Sequence, residues 1–480
     1  MKYNMVFTSA MFMFMFLPLV TILYFLINIK FRNILLLIAS LLFYAWGEPK
    51  HVIVMLISIA INYYFGLLVH KNSSDVSNKK KSLIYAIVLN LGMLMFFKYF
   101  NFIIANINSL ASIIGINKEF VVSPIHLPIG ISFFTFQGLS YVIDVYRNDA
   151  KVQKNIYNLA LYISFFPQLI AGPIVRYHDV AMQIDKRDIT IDKFCYGIRR
   201  FILGFGKKIL ISNQVGFVAD KVFAININEL STSLAWIGII CYTLQIYFDF
   251  SGYSGMAIGL GKMFGFDFLE NFNFPYISKS ISEFWKRWHM SLTNWFRDYV
   301  YIPLGGNRKG KKRTYINQMI VFLLSGLWHG ASWNFIFWGA YYGAFLVIER
   351  TKLGNKIIDK MWTPLRHVYA LLVVIIGWVF FRCETLTNAW IYIKKMFIFE
   401  ASSNLYYPQL FINNKTIFIL ICAIILSTPI LSYISKKISK KVKKNLVYDT
   451  CINAIYFCIL LVSIINLAAS TYNPFIYFRF

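Results

Sequence analysis

Charge is what this sequence has least of. Only 14% of its 480 residues are Asp, Glu, Lys or Arg, while 58% are hydrophobic. A soluble domain carries about 25% charged residues, so the balance excludes an ordinary soluble fold and points to an integral membrane protein. Acids are scarcest: 21 Asp and Glu stand against 48 Lys and Arg, a formal net charge of +27. The cations gather in short loops between apolar runs, the positive-inside pattern, so they orient the chain rather than name a ligand. Nucleic-acid binding is set aside on that ground. Cysteine is sparse too. Cys195, Cys241, Cys383, Cys422, Cys451 and Cys458 include no CxxC pair and no metal-ligand spacing. Most lie in apolar runs as small buried hydrophobes, so neither disulfides nor a metal is expected. The chain also lacks a Walker loop, HExxH, and GxGxxG in a strand–turn–helix setting, which counts against ATPases, zinc proteases and dehydrogenases. No repeat of solenoid period and no low-complexity linker divides it.

What the chain has in quantity is apolar runs of roughly 15 to 23 residues, enough to cross a bilayer or most of one. They predict an all-α, polytopic membrane protein with about eleven to thirteen transmembrane or re-entrant elements. One domain, 1–480, is expected: N-terminal spans over 1–155, a core over 156–350, and C-terminal spans over 351–480. Met5–Ile27 is longer than a signal-peptide core and reads as a first span rather than a removed leader. Lys30 and Arg32, then Lys79-Lys80-Lys81, mark the first cytosolic loops and place the N-terminus outside. Lys436–Lys444 marks the last internal loop, and the C-terminus then emerges outside as well. Pro167, Gly172 and Pro173 should bend Ile156–Ile174. The basic, mixed stretch Arg176–Lys208 is expected to be cytoplasmic or interfacial. Gly255 and Gly259 have the GxxxG spacing of close helix packing.

Polar residues concentrate between Ser282 and Trp338. Two of the seven histidines fall here, His289 and His329, each directly after a tryptophan. His329 lies in an apolar run beside Trp328, Gly326 and Gly330. An ionisable group in such a run is costly, which makes function the default reading. A histidine satisfied by a backbone carbonyl is the alternative. Imidazole takes a proton near neutral pH, so His329 is the candidate general base. Asn334 could hold a developing oxyanion, or equally make a helix–helix hydrogen bond. If FWKRWHMSLTNWFRDY (Phe284–Tyr299) is one helix, Trp285, His289 and Leu292 share a face. Lys286, Arg287, Arg297 and the Arg308–Arg313 cations could then hold an anionic cofactor. The competing reading is an interfacial helix with snorkelling cations, followed by a topogenic charge cluster. Asp144 and Asp249, in apolar surroundings, need partners.

Several blocks carry a family resemblance: FFPQLIAGPIVRY (Phe165–Tyr177), YFDFSGYSGMAIGLGKMFGF (Tyr247–Phe266), NFNFPYISKSISEFWKRWHMSLTNWFRDYVYIPLGGNR (Asn271–Arg308), LSGLWHGASWNFIFWG (Leu324–Gly339) and PFIYFRF (Pro474–Phe480). In their order and spacing the chain resembles the membrane-bound O-acyltransferase family, in the bacterial branch of alginate O-acetylase and its polysaccharide- and peptidoglycan-acetylating relatives. The resemblance implies acyl transfer to a hydroxyl, with His329 and His289 on the family's two histidines and a tunnel between the two sides of the membrane. It also implies a cytosolic thioester donor, acetyl-CoA, with Trp285, Arg287, Arg297, Asp298 and Trp328 in the donor-binding set. The acceptor would be an extracytoplasmic glycan, or a separate extracytoplasmic transferase that relays the acetyl group, and the location a bacterial cytoplasmic membrane with its lipids. The branch that transfers D-alanine to teichoic acid shares FWxRWHMSLxxWFRDYVY, but IPLGGNR and GLWHGASWNF look like the acetylase branch. A glycan transporter and a structural membrane subunit are the rival classes. The absence of repeat symmetry and the clustering of polar residues in one block weigh against transport.

Overall fold

Every regular element among the described residues is helical. The apolar runs require this, because hydrocarbon offers backbone N–H and C=O groups no partner and a helix satisfies them within the segment. The computed structural model describes residues 5–116, 119–401, 405–441 and 446–476. Both chain ends, the last four residues of PFIYFRF and part of Lys436–Lys444 lie outside the described residues. Among the described residues, six helices are long and apolar enough to cross a membrane: Ile29–Gly47, Val52–Lys71, Val76–Ile113, Thr232–Met263, Thr363–Arg382 and Val447–Ala469. The pair Asn414–Leu426 and Ile430–Lys437, bent by 66°, makes a seventh if it is one span. The other runs read from the sequence form shorter or more polar helices.

The chain forms two compact units, Met1–Gly197 with Leu260–Leu269, and Ile198–Gly259 with Glu270–Phe480. The first contains α1 (Leu17–Leu26), α2 (Arg32–Gly47), α3 (Val52–Lys71), α4 (Val76–Ile113), α5 (Ile131–Arg147), α6 (Ile156–Ser164), α7 (Phe166–Leu169) and α8 (Tyr177–Asp185). Helix α5 is its centre, with every residue from Ile131 to Val145 buried. Two glycines let α3 and α5 meet closely. A Cβ at Gly138 would stand 2.3 Å from Asn62 Nδ2, and one at Gly66 2.5 Å from the Tyr141 ring. Asp144 has the partner its burial demands, since the His178 backbone N–H donates to it at 3.0 Å and the His178 ring Nδ1 lies 2.9 Å away. The expected bend is present: α6 ends at Ser164, α7 is one turn, and no helix follows until Tyr177.

The second unit takes the end of α9 (Ile191–Gly206), then α10 (Asn213–Phe223) and most of α11 (Thr232–Met263). It continues with α12 (Ile281–Arg287), α13 (Met290–Phe296), α14 (Gly310–His329), α15 (Trp333–Arg350), α16 (Lys352–Lys360), α17 (Thr363–Arg382) and α18 (Leu386–Phe397). Helices α19 (Asn414–Leu426), α20 (Ile430–Lys441) and α21 (Leu446–Ala469) complete it. The close glycine contact of α11 is one turn from the expected place. A Cβ at Gly252 would stand 2.8 Å from Gly204 O, whereas one at Gly255 makes ordinary contact. Beside it a π-helical turn, Lys207–Ser212, carries Lys208 into the interior. Lys208 is 2% exposed and 2.5 Å from Asp249, so it does not belong to the surface stretch expected over Arg176–Lys208. Lys208 Nζ also donates to Pro474 O, and Ile476 N–H to Asp249 at 3.0 Å. The start of the closing motif is therefore pinned on a buried ion pair.

Candidate active site

The block Phe284–Tyr299 is not one helix. Helix α12 ends at Arg287 and α13 begins at Met290, and His289 stands in the break with φ 44° and ψ 52°. A residue with a Cβ rarely takes this left-handed conformation, and it persists only where surroundings impose it. The shared helical face expected for Trp285, His289 and Leu292 is thus corrected: all three are buried, but on two helices. The break is held from both sides. Glu349 accepts the N–H groups of Ile281 and Ser282 at 2.6 and 2.8 Å, and Ser280 Oγ accepts that of Glu283 at 3.0 Å, capping α12. Downstream, Met290 N–H donates to Asn271 O at 2.9 Å.

Asn271 also fixes the state of His289. Its Oδ1 accepts the Ser291 N–H at 3.2 Å, which identifies that atom as the oxygen, and the His289 Nδ1 lies 3.1 Å from it. Nδ1 must therefore carry the proton, leaving Nε2 as an acceptor. That Nε2 is buried and has no protein partner. His289 lies outside the candidate spans, and burial pushes its pKa down from 6.5 to about 3. The ring is a neutral imidazole with one lone pair to offer.

Within its apolar run, His329 is the last residue of α14. Gly330 ends the helix, and α15 turns back from Trp333. The two helices touch where side chains are missing: a Cβ at Gly326 would stand 2.2 Å from Phe335 O, and one at Gly339 2.4 Å from Phe322 O. The imidazole sits among rings, with centroids 4.9 Å from Trp328, 5.0 Å from Trp338 and 5.1 Å from Phe381. Trp328 also meets His289 at 5.9 Å, and Trp285 meets Trp338 at 5.5 Å. Both histidines and both candidate tryptophans therefore form one buried aromatic cluster. The indole N–H groups of Trp285 and Trp338 are buried there without protein partners. Leaving such a group unpaired costs about 1–3 kcal/mol, so the cluster is suited to a polar ligand.

The charged candidates are engaged locally. Arg287 pairs with Glu283 and Arg297 with Asp298, at 2.9 and 2.7 Å. Asn334 donates one amide N–H to the Cys383 carbonyl at the end of α17 at 2.5 Å. A cavity of about 570 Å³ opens beside the cluster, with Phe335 and Phe381 in its wall. Its polar lining includes Asp220, Gln245, Ser332, Arg382 and Glu384. Asp220 pairs with Arg382 at 2.9 Å and accepts the Tyr472 hydroxyl at 2.7 Å. Sequence reading passed over these residues; the signal available was an acid and an arginine at the ends of apolar runs.

A family model for MBOAT, the membrane-bound O-acyltransferase family, matches residues 52–391. The chain belongs to that family. It is 42% identical to the probable alginate O-acetylase of Azotobacter vinelandii, over 99% of this chain and 100% of the relative. It is 34% identical to a peptidoglycan O-acetyltransferase of Helicobacter pylori, over 82% and 80% of the two chains. A teichoic acid D-alanyltransferase of Bacillus subtilis is 31% identical over 52% of this chain. The protein is a multi-pass membrane O-acyltransferase.

Proposed function

We propose that this MBOAT protein moves an acetyl group from acetyl-CoA, on the cytosolic side, to a hydroxyl outside the membrane. The acceptor is an extracytoplasmic polysaccharide or peptidoglycan, or a partner protein that relays the group. The location is the bacterial cytoplasmic membrane, with both chain ends outside. The observation that carries the reading is His329 at the end of α14, in ring contact with Phe335 and Phe381, which wall the polar cavity. Two of the relatives named above are acetylases of alginate and of peptidoglycan, and a cavity with Asp220, Gln245 and Glu384 suits sugar hydroxyls.

In the step proposed, His329 takes the proton of the acceptor hydroxyl as its oxygen attacks the thioester carbonyl. The tetrahedral intermediate collapses by breaking the C–S bond, and the thiolate leaves with the proton held on the imidazole. A positioned base contributes on the order of 10²–10⁴-fold; orientation of both substrates supplies more. His289 stays neutral and uses Nε2 to accept a hydrogen bond from the donor arm, with Trp285, Trp328 and the Arg287, Arg297 and Asp298 segment forming the donor approach. Asn334 acts through Cys383, holding the end of α17 so that Phe381 stays against His329.

The 20-residue α14 is about 30 Å long at 1.5 Å per residue. Its Arg308–Arg313 end is the cytosolic end by the positive-inside rule, so His329 lies where an acceptor from outside can reach it. The test is the ester released by mild base from purified surface polymer, in cells with the native protein, with His329→Ala at equal membrane abundance, or with none. Acetate lost in the variant supports the proposal. D-alanine lost in its place moves the protein to the carrier-dependent branch. Unchanged esters in the variant refute His329 as the base.

A further inference from the structure

Outside the active-site unit, the first unit brings His126 to Glu48, 78 residues earlier in the chain, and to its near neighbour His51. Glu48 follows α2, His51 precedes α3, and His126 lies in the extended segment before α5. His51 Nδ1 is 2.6 Å from one Glu48 oxygen and His126 Nε2 is 3.2 Å from the other. One ligand atom from each residue falls within 4.8 Å of the others, and no second such group is found among the described residues. We propose that Glu48, His51 and His126 form a binding site for a divalent transition metal of the zinc class.

Three features point to a cation rather than to hydrogen bonding alone. The Glu48 side chain is 8% exposed, and a carboxylate this deep needs partners that compensate its charge. The two rings meet at the carboxylate, one nitrogen on each of its oxygens, with centroids 5.1 Å apart and planes 30° apart. The position of His126 is also built rather than incidental. Asn101 on α4 accepts the Ile125 N–H at 3.0 Å and donates to the Ile125 carbonyl at 2.8 Å, gripping the neighbouring residue from both sides.

The donor set, two imidazole nitrogens and a carboxylate oxygen with no thiolate, suits Zn²⁺ and its first-row neighbours. Bonds of about 2.0–2.1 Å in a tetrahedral site separate ligand atoms by ~3.3 Å. One nitrogen from each histidine and one Glu48 oxygen lie within 4.8 Å of one another, so closing around the ion draws them together by about 1.5 Å at most. The His126 side chain is 67% exposed, which leaves an entry path and a side for water to complete the coordination. Such an ion fastens the α2–α3 turn to the approach of α5. The cysteine spacings could not reveal it, because no cysteine takes part.

The test uses the full chain purified in detergent, stripped with a chelator and dialysed against Zn²⁺, with metal per chain measured by mass spectrometry. Titration with Co²⁺ gives the visible ligand-field bands of a nitrogen–oxygen site. One equivalent of Zn²⁺ is expected for the native chain, with affinity reduced on the order of tenfold or more in His126→Ala. His126 is exposed, so this variant keeps its fold. Glu48→Gln, which retains hydrogen bonding to the rings, is expected to lose the metal as well. Failure of the native chain to bind a stoichiometric ion, or equal binding by both variants, overturns the proposal and leaves a Glu–His hydrogen-bond network.

Discussion

Replacing Gly326 by alanine tests whether the geometry of His329 depends on the α14–α15 contact. The added methyl would stand 2.2 Å from the Phe335 carbonyl oxygen and 3.3 Å from the Gly339 Cα. Both are backbone atoms, which cannot rotate away, so the helices must separate by ~1 Å to restore ordinary contact. His329 is three residues further along α14, and Phe335 forms part of its surroundings. Overpacking of this kind costs about 1–3 kcal/mol in stability. A displacement near 1 Å at a reacting group costs on the order of 10²-fold in rate. Two alanine controls calibrate the effect. Gly343 faces the Met319 sulfur at 2.8 Å, a side-chain end that can move, and Gly92 has no atom within 4 Å. We expect base-labile acyl ester on the surface polymer to fall sharply in Gly326→Ala and to stay near the native level in the two controls. Melting of each purified protein reports the stability change separately. Native activity in Gly326→Ala, or equal losses at Gly326 and Gly343, would refute the claim that this contact positions His329.

Two further outcomes follow from buried groups. Below pH 6.5 an unfolded His289 takes up a proton, while the folded ring does so only near pH 3, so stability falls as pH drops through this window. Between pH 6.5 and 5.5 the native protein should lose about 1 kcal/mol more than His289→Gln, measured by melting in detergent; parallel acid slopes would contradict the neutral, buried ring. Asp249→Asn leaves the Lys208 charge buried without its carboxylate and should cost about 3–5 kcal/mol. The double change Lys208→Met with Asp249→Leu should recover most of that in denaturation measurements, because both desolvated charges are then gone.

Helical class, membrane residence and the two histidines were legible in the chain because composition, run length and local motifs encode them directly. The bend after Ser164 was legible for the same reason: proline and glycine act on their own backbone. The resemblance in Phe165–Tyr177, Asn271–Arg308 and Leu324–Gly339 carried the family, which the comparisons show. Tertiary structure decided what depends on approach in space. The break at His289 is imposed by Asn271, Glu349 and packed rings, against the helical periodicity of the stretch itself. Lys208 looked like one more cation of a basic loop, and only the neighbourhood of Asp249 makes it a core residue. His329 ends its helix because Gly330 and the return of α15 stop it there. His126 reaches Glu48 and His51, which share the α2–α3 turn, because the helices return a loop distant in sequence to that turn. Sequence specifies each side chain and its local backbone preferences; partners across the fold are set by which helices pack, and no local signal carries that.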